Sequence, residues 1–154
     1  MKTLTFMVII AVSGIAFAGQ PEPLKVYCFS MDIAAGFKDE VAEEMCRAIA
    51  KRGKKKKSVT LTDAADAQII VQFIGVTGER VVAEAGQKFV PYAGSVWQAE
   101  KKERTLAAEL TVGDYTKEFN RSSTGGAVAS GLGSEIEEWI RENRDTILQK
   151  AQKK

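Results

Sequence analysis

The chain has 154 residues, of which 45% are hydrophobic and 27% charged, with a formal net charge of +2 and no histidine. A domain of that length buries a real core without metals or many crosslinks, and the balanced charge argues against a dedicated nucleic-acid binder, which must neutralise many phosphates. The missing histidine removes Ser-His-Asp and Cys-His nucleophiles, histidine acid–base catalysis and every histidine-containing metal site.

Residues 1–18, MKTLTFMVIIAVSGIAFA, read as a signal peptide. Lys2 supplies the positive start, Leu4 to Phe17 are almost unbroken apolar, and Ala16-Phe17-Ala18 gives a small-x-small pattern with the cut between Ala18 and Gly19. The run is short for a span of roughly 20 residues, and Gly19-Gln20-Pro21-Glu22-Pro23 is a poor stop-transfer flank. The expectation is export to the periplasm or the medium. Residues 19–154 then form a single soluble α/β domain with no membrane span left after cleavage.

Leu24 to Ser30 reads as a strand with apolar residues on both faces, Val26 and Cys28 against Tyr27 and Phe29, which predicts a central, covered position. Phe37 to Arg52 follows as a helix with the stripe Phe37, Val41, Met45, Ala48 and Ile49, and Gly53 as its stop. Its acids lead and its bases trail, as the helix dipole favours. Cys28 and Cys46 fall on this strand and on the helix above it. An oxidising compartment permits a disulfide between them, worth roughly 3 kcal/mol for so short a loop; the alternative is two small buried hydrophobes. Lys54 to Lys57 finish the helix, either as a solvated turn or as a contact for anionic lipid or cell-wall polymer.

Ser58 to Thr62 predicts a short strand, and Asp63 to Ala67 a polar connection into Gln68–Ile74, the run richest in β-branched residues. Thr77-Gly78 reads as a turn towards Arg80–Glu84, and Gly86 to Lys102 is less regular and aromatic-rich. Alternation returns at Thr105–Val112, with Leu106, Ala108, Leu110 and Val112 on one face. Gly113-Asp114 suits a tight hairpin to Tyr115–Asn120. Ser122 to Gly133 reads as a flexible connector, and Ser134 with Glu137 matches a capping box for a last helix that buries Ile136, Trp139, Ile140, Ile147 and Leu148. The sum is an α/β (α+β) two-layer sandwich, a mostly antiparallel sheet of about five or six strands with two helices on one face.

Chemistry has few places to reside. Two cysteines without CxxC spacing build neither a Cys-only zinc site nor a thioredoxin-type pair, and no serine has a lysine three residues later. No catalytic residue, cofactor or metal is implied. Asp63 and Asp66 are the nearest approach to a carboxylate site, the basis of an alternative reading as a carboxylate-dependent hydrolase or cation-binding protein of the envelope; DAADA lacks the ligand alternation and glycine of a calcium loop. The glycine-rich run from Thr124 to Gly133 precedes a helix but lacks the Gly-Lys-Ser/Thr ending of a phosphate loop. Asn120-Arg121-Ser122 is a glycosylation acceptor only in a eukaryotic source. Phe89, Tyr92 and Trp97, on a long connection, form the best candidate binding surface. The leading expectation is a non-enzymatic domain that binds an envelope protein or cell-wall component.

Asp63-Ala64-Ala65-Asp66-Ala67-Gln68-Ile69-Ile70-Val71, Val112-Gly113-Asp114-Tyr115 and Glu138-Trp139-Ile140-Arg141-Glu142-Asn143-Arg144 together resemble an uncharacterised family of small exported bacterial α/β proteins. The layout is also similar to accessory α/β domains of bacterial envelope machines. The resemblance implies a mixed α/β domain and an envelope location, and it brings no catalytic residues.

Overall fold

Alternation in Leu24–Ser30 (β1) turns Leu24 and Val26 into the core and leaves Tyr27 and Phe29 half-buried on the opposite face, their rings stacked 5.0 Å apart. In the computed structural model, which describes residues 21–34, 39–84 and 100–152, β1 lies inside a five-stranded sheet of order β2-β1-β3-β4-β5. The other strands are Val59–Leu61 (β2), Ile69–Glu84 (β3), Glu100–Val112 (β4) and Tyr115–Ser123 (β5). β1 pairs parallel with both β2 and β3, whereas β3–β4 and β4–β5 are antiparallel. The sheet is therefore mixed, which corrects the expectation of a mostly antiparallel one.

The physical reason lies in two successive crossover connections, of which the second passes across β1. A helix carries the chain from the end of β1 back to the start of β2, as parallel pairing requires. β2 then stops opposite Val26, and β3 begins opposite the same residue on the other side. A single 3₁₀ turn, Ala64–Asp66, makes that second crossing. It is closed by hydrogen bonds from Thr62 N to Val26 O and from Gln68 N to Lys25 O, both 2.9 Å. The Gln68 side-chain oxygen accepts from Lys25 N, so the crossing leaves the β1 backbone satisfied where the strands change over.

Met31–Ala34 (α1) is a single helical turn at the top of β1, and Glu40–Lys56 (α2) is the long crossover helix. Asp39 caps α2 by accepting from Ala42 N. The helix does not stop at Gly53 as expected. It runs through to Lys57, which closes it in the left-handed conformation (φ 54°) with its N–H on Gly53 O. Gly53 serves packing instead: a Cβ there would lie 2.2 Å from Val59 Cγ2, so only glycine lets the helix end settle on β2.

The last helical region also departs from expectation. Val128–Glu142 (α3) starts six residues before Ser134, and Arg144–Ala151 (α4) follows a break at Asn143, whose amide donates to Trp139 O. Half of the supposed connector is thus helix, with Val128, Ala129, Leu132 and Gly133 buried. The small residues that suggest flexibility in the sequence permit close contact here: a Cβ on Gly133 would stand 2.3 Å from Met45 O of α2. No capping box forms. Ser134 donates back to Ser130 O, and Glu137, fully buried, accepts from Arg52 Nε at 2.8 Å and from Ser58 Oγ at 2.5 Å. This clasp joins α3 to the end of α2 and the entry to β2.

α2, α3 and α4 cover the same sheet face. Met45, Ile49, Ile136, Ile140 and Ile147 close over Val26, Ile69, Val71, Leu106 and Leu110, each such side chain contributing roughly 1.5–3 kcal/mol. Cys28 and Cys46 stand at disulfide distance (S–S 2.02 Å, Cα–Cα 5.7 Å), joining β1 to α2. The β4–β5 hairpin turns at Gly113 (φ 55°) and Asp114 as the sequence predicts.

Candidate functional site

β3 has sixteen residues where β1 has seven, and this mismatch builds the site. β1 pairs with β3 only as far as Ser30 opposite Phe73, and β5 pairs with β4 only as far as Ser123 opposite Arg104. Beyond those points β3 and β4 continue as a two-stranded arm, paired to each other up to Glu84 opposite Glu100. Among the described residues, no strand lies against the other edge of β3 from Ile74 to Glu84.

Among the described residues, the most exposed aliphatic side chains of the sheet lie on the arm. Ile74, Val76 and Val81 are 51%, 54% and 53% exposed, and Met31, at the point where β1 leaves the sheet, is 67% exposed. A half-exposed strand residue is ordinary when single. Three lie along the stretch of β3 that no strand flanks on its other side among the described residues, with Met31 where β1 ends beside it.

Three register shifts interrupt the β3–β4 ladder, between Phe73 and Gly75, Val76 and Gly78, and Val81 and Ala83. Gly75 takes φ 136°, open to glycine alone among the common residues. Such bulges twist and bend an edge, one of the means by which exposed strands avoid indiscriminate pairing. The interpretation of Thr77-Gly78 as a turn mistakes one of these bulges for a strand end.

Charge completes the arm. Glu79 receives Lys102 Nζ at 3.1 Å and Arg104 Nε at 3.3 Å, and Arg80 Nε meets Glu103 at 2.5 Å. The Lys102 ammonium, hydrogen-bonded to Glu79 and close in charge, holds that carboxyl below the usual range, with Arg104 adding to the effect. The ladder fixes the pairing of β3 with β4, and Val76 and Val81 flank it, Val81 directly opposite Lys102. The chemistry such an arrangement offers is non-covalent: apolar contact plus main-chain hydrogen bonds to an added strand.

The residues singled out in the sequence distribute unevenly. Phe89, Tyr92 and Trp97 lie outside the described residues, in the chain between the ends of β3 and β4. Residues 1–18 lie outside them as well. Asp63 and Asp66 are both exposed on the 3₁₀ turn and its flank, on the surface and away from the arm. Among the described residues, no three acids, cysteines or histidines gather to hold a metal ion. The lysine run forms the last turn of α2, at the opposite end of the sheet from the arm. Sequence reasoning passes over Ile74, Val76 and Val81, although a β-branched run longer than a sheet layer needs is a legible signal of an overhanging strand.

No known protein family and no curated protein sequence matches this chain.

Proposed function

We propose that this chain is an exported, non-enzymatic binding domain that uses the β3–β4 arm to hold a protein or other component of the cell envelope. The observation that carries the reading is the overhanging edge of β3, where exposed aliphatics coincide with backbone that no strand pairs among the described residues. Export is supported by the leader pattern of residues 1–18. Cys28 and Cys46 at disulfide distance are compatible with an oxidising compartment. Among the described residues no helix is long and apolar enough to cross a membrane.

Covering the remaining exposed area of Ile74, Val76, Val81 and Met31 would contribute on the order of 1 kcal/mol each. That suffices for a selective contact when main-chain pairing adds to it. The test replaces Ile74, Val76 and Val81 together by threonine, which keeps the β-branched shape and removes the apolar surface. Association with native envelope extract, followed by co-sedimentation, falls tenfold or more while the thermal transition stays put. Unchanged association with a folded variant would remove the arm from the account.

A further inference from the structure

The opposite end of the domain holds charge that the fold does not neutralise. Most described cations are engaged: Arg80, Lys102, Arg104, Arg121 and Arg141 sit in ion pairs, and Lys117 and Lys150 lie over aromatic rings. Lys51, Lys54, Lys55 and Lys56 are all exposed and enter no ion pair among the described residues. Residues 54–56 stand about 100° apart around the helix, so the end of α2 is charged on several sides rather than along one stripe. The helix dipole accounts for some lysine there, but four exposed ammoniums within six residues exceed what one helix end requires.

The surroundings point to a partner. On one side of this turn lies a groove of about 730 Å³ with an apolar floor of Pro21, Pro23, Ala50, Val59 and Leu61, and Lys54 and Lys57 in its lining; Glu22 is the one acid there. On the other side a groove of about 310 Å³ sets Lys51 and Lys55 beside the hydroxyls of Ser130 and Ser134. The guanidiniums near this end are engaged, Arg52 with Glu137 and Glu138 and Arg144 with the Glu22 carbonyl, so among the described residues the outward cations of the last helical turn are ammonium groups. Flexible point charges without a rigid fork suit a fluid, polyanionic surface better than a planar, bidentate ligand.

We propose that the lysine-capped end of α2 docks on an anionic lipid membrane, headgroup phosphates meeting the lysines and the apolar groove facing the acyl boundary. Docking there leaves the β3–β4 arm pointing away from the bilayer. β3 alone extends up to roughly 50 Å from the level of Val26 to its tip. The domain would present its arm at a distance from the surface that holds it.

The probe is a vesicle of about 30 mol% phosphatidylglycerol in phosphatidylcholine, against phosphatidylcholine alone, read by co-flotation. Each lysine near an anionic surface contributes roughly fivefold in partition. The protein floats with the anionic vesicles and not with the neutral ones, and about 0.5 M salt releases it. Replacing Lys51, Lys54, Lys55 and Lys56 by glutamine lowers the partition a hundredfold or more, and replacing the same four by arginine keeps it. A matched variant replacing Arg47, Lys117, Arg121 and Arg141 by glutamine changes net charge equally and stays within threefold of wild type. Equal binding to both vesicle types, or equal loss in the two glutamine variants, would overturn the proposal. So would tight binding of polyglutamate with no vesicle binding, which would assign the lysines to an acidic protein instead.

Discussion

Gly131 and Gly133 sit two residues apart in α3, and the same change at each has opposite consequences. Alanine in place of glycine inside a helix stabilises by up to about 1 kcal/mol, through backbone entropy. At Gly133 the new Cβ would lie 2.3 Å from Met45 O and 3.0 Å from the Ala48 Cβ. A carbonyl cannot swing aside, so α3 would have to move off α2 by nearly 1 Å, loosening the packing around Ile136 and Met45. Overpacking of that kind costs about 1–3 kcal/mol, and the buried Glu137 clasp, one turn along, is dragged with it. At Gly131 the Cβ would meet only the end of the Arg121 side chain, with Nε at 2.4 Å. Arg121 can turn into solvent at the loss of its 3.3 Å pair with Glu135, worth no more than about 1 kcal/mol on the surface. Gly131→Ala should therefore be neutral or stabilising by up to about 1 kcal/mol, and Gly133→Ala destabilising by about 1–2 kcal/mol. Thermal unfolding followed by far-UV circular dichroism separates them, with a gap of several degrees in midpoint. Equal stability in the two variants would refute the close approach of α3 to α2.

Three further outcomes follow from named contacts. Arg52→Ala leaves Glu137 buried without its cation and should cost about 3–5 kcal/mol, whereas Glu137→Gln, which leaves the partly exposed Arg52 guanidinium still paired with Glu138, should cost about 1–3 kcal/mol; chemical denaturation ranks them, and a reversed order contradicts the clasp. Replacing Cys28 and Cys46 together by alanine should lower stability by about 3 kcal/mol for a link spanning 18 residues, measured against the parent with and without reductant, which should shift the parent alone. Glu79 is held below the usual carboxylate range chiefly by Lys102. Its contribution is thus complete above the ordinary glutamate value and is lost as pH falls through its lowered one. A carboxyl carbon titration by NMR should show Glu79 moving up in Lys102→Gln; no movement removes the ladder from the arm.

The core strands, both long helices and the β4–β5 hairpin are legible in the sequence because each rests on local periodicity or on a turn with fixed demands, such as Gly113. Strand direction is not. The sequence places Ser58–Thr62 and Gln68–Ile74 as strands, but nothing local says that a 3₁₀ turn carries the chain across β1 and resumes in the same sense. Glycine misleads in two places for one reason. Gly53 and Gly133 read as a stop and a linker, yet each sits inside a helix where a neighbouring backbone leaves no room for a side chain. Glu137 fits a capping box by spacing alone, and only tertiary contact turns it towards Arg52 and Ser58. The arm was hidden by its bulges, which interrupt alternation at Thr77-Gly78 and disguise one long strand as two. The lysine run from Lys54 to Lys57 was visible, but that Lys51, Lys54, Lys55 and Lys56 enter no ion pair among the described residues is a property of the folded chain.

The claim that the β3–β4 arm is a contact surface is most directly tested by placing a photoreactive residue at Val81, with a control at Arg141 on α3, and irradiating the protein in its native envelope. A discrete adduct from position 81 and none from 141 is the expected result, and sequencing the adduct identifies the partner. Adducts from both positions, or from neither with the protein folded, would contradict the account.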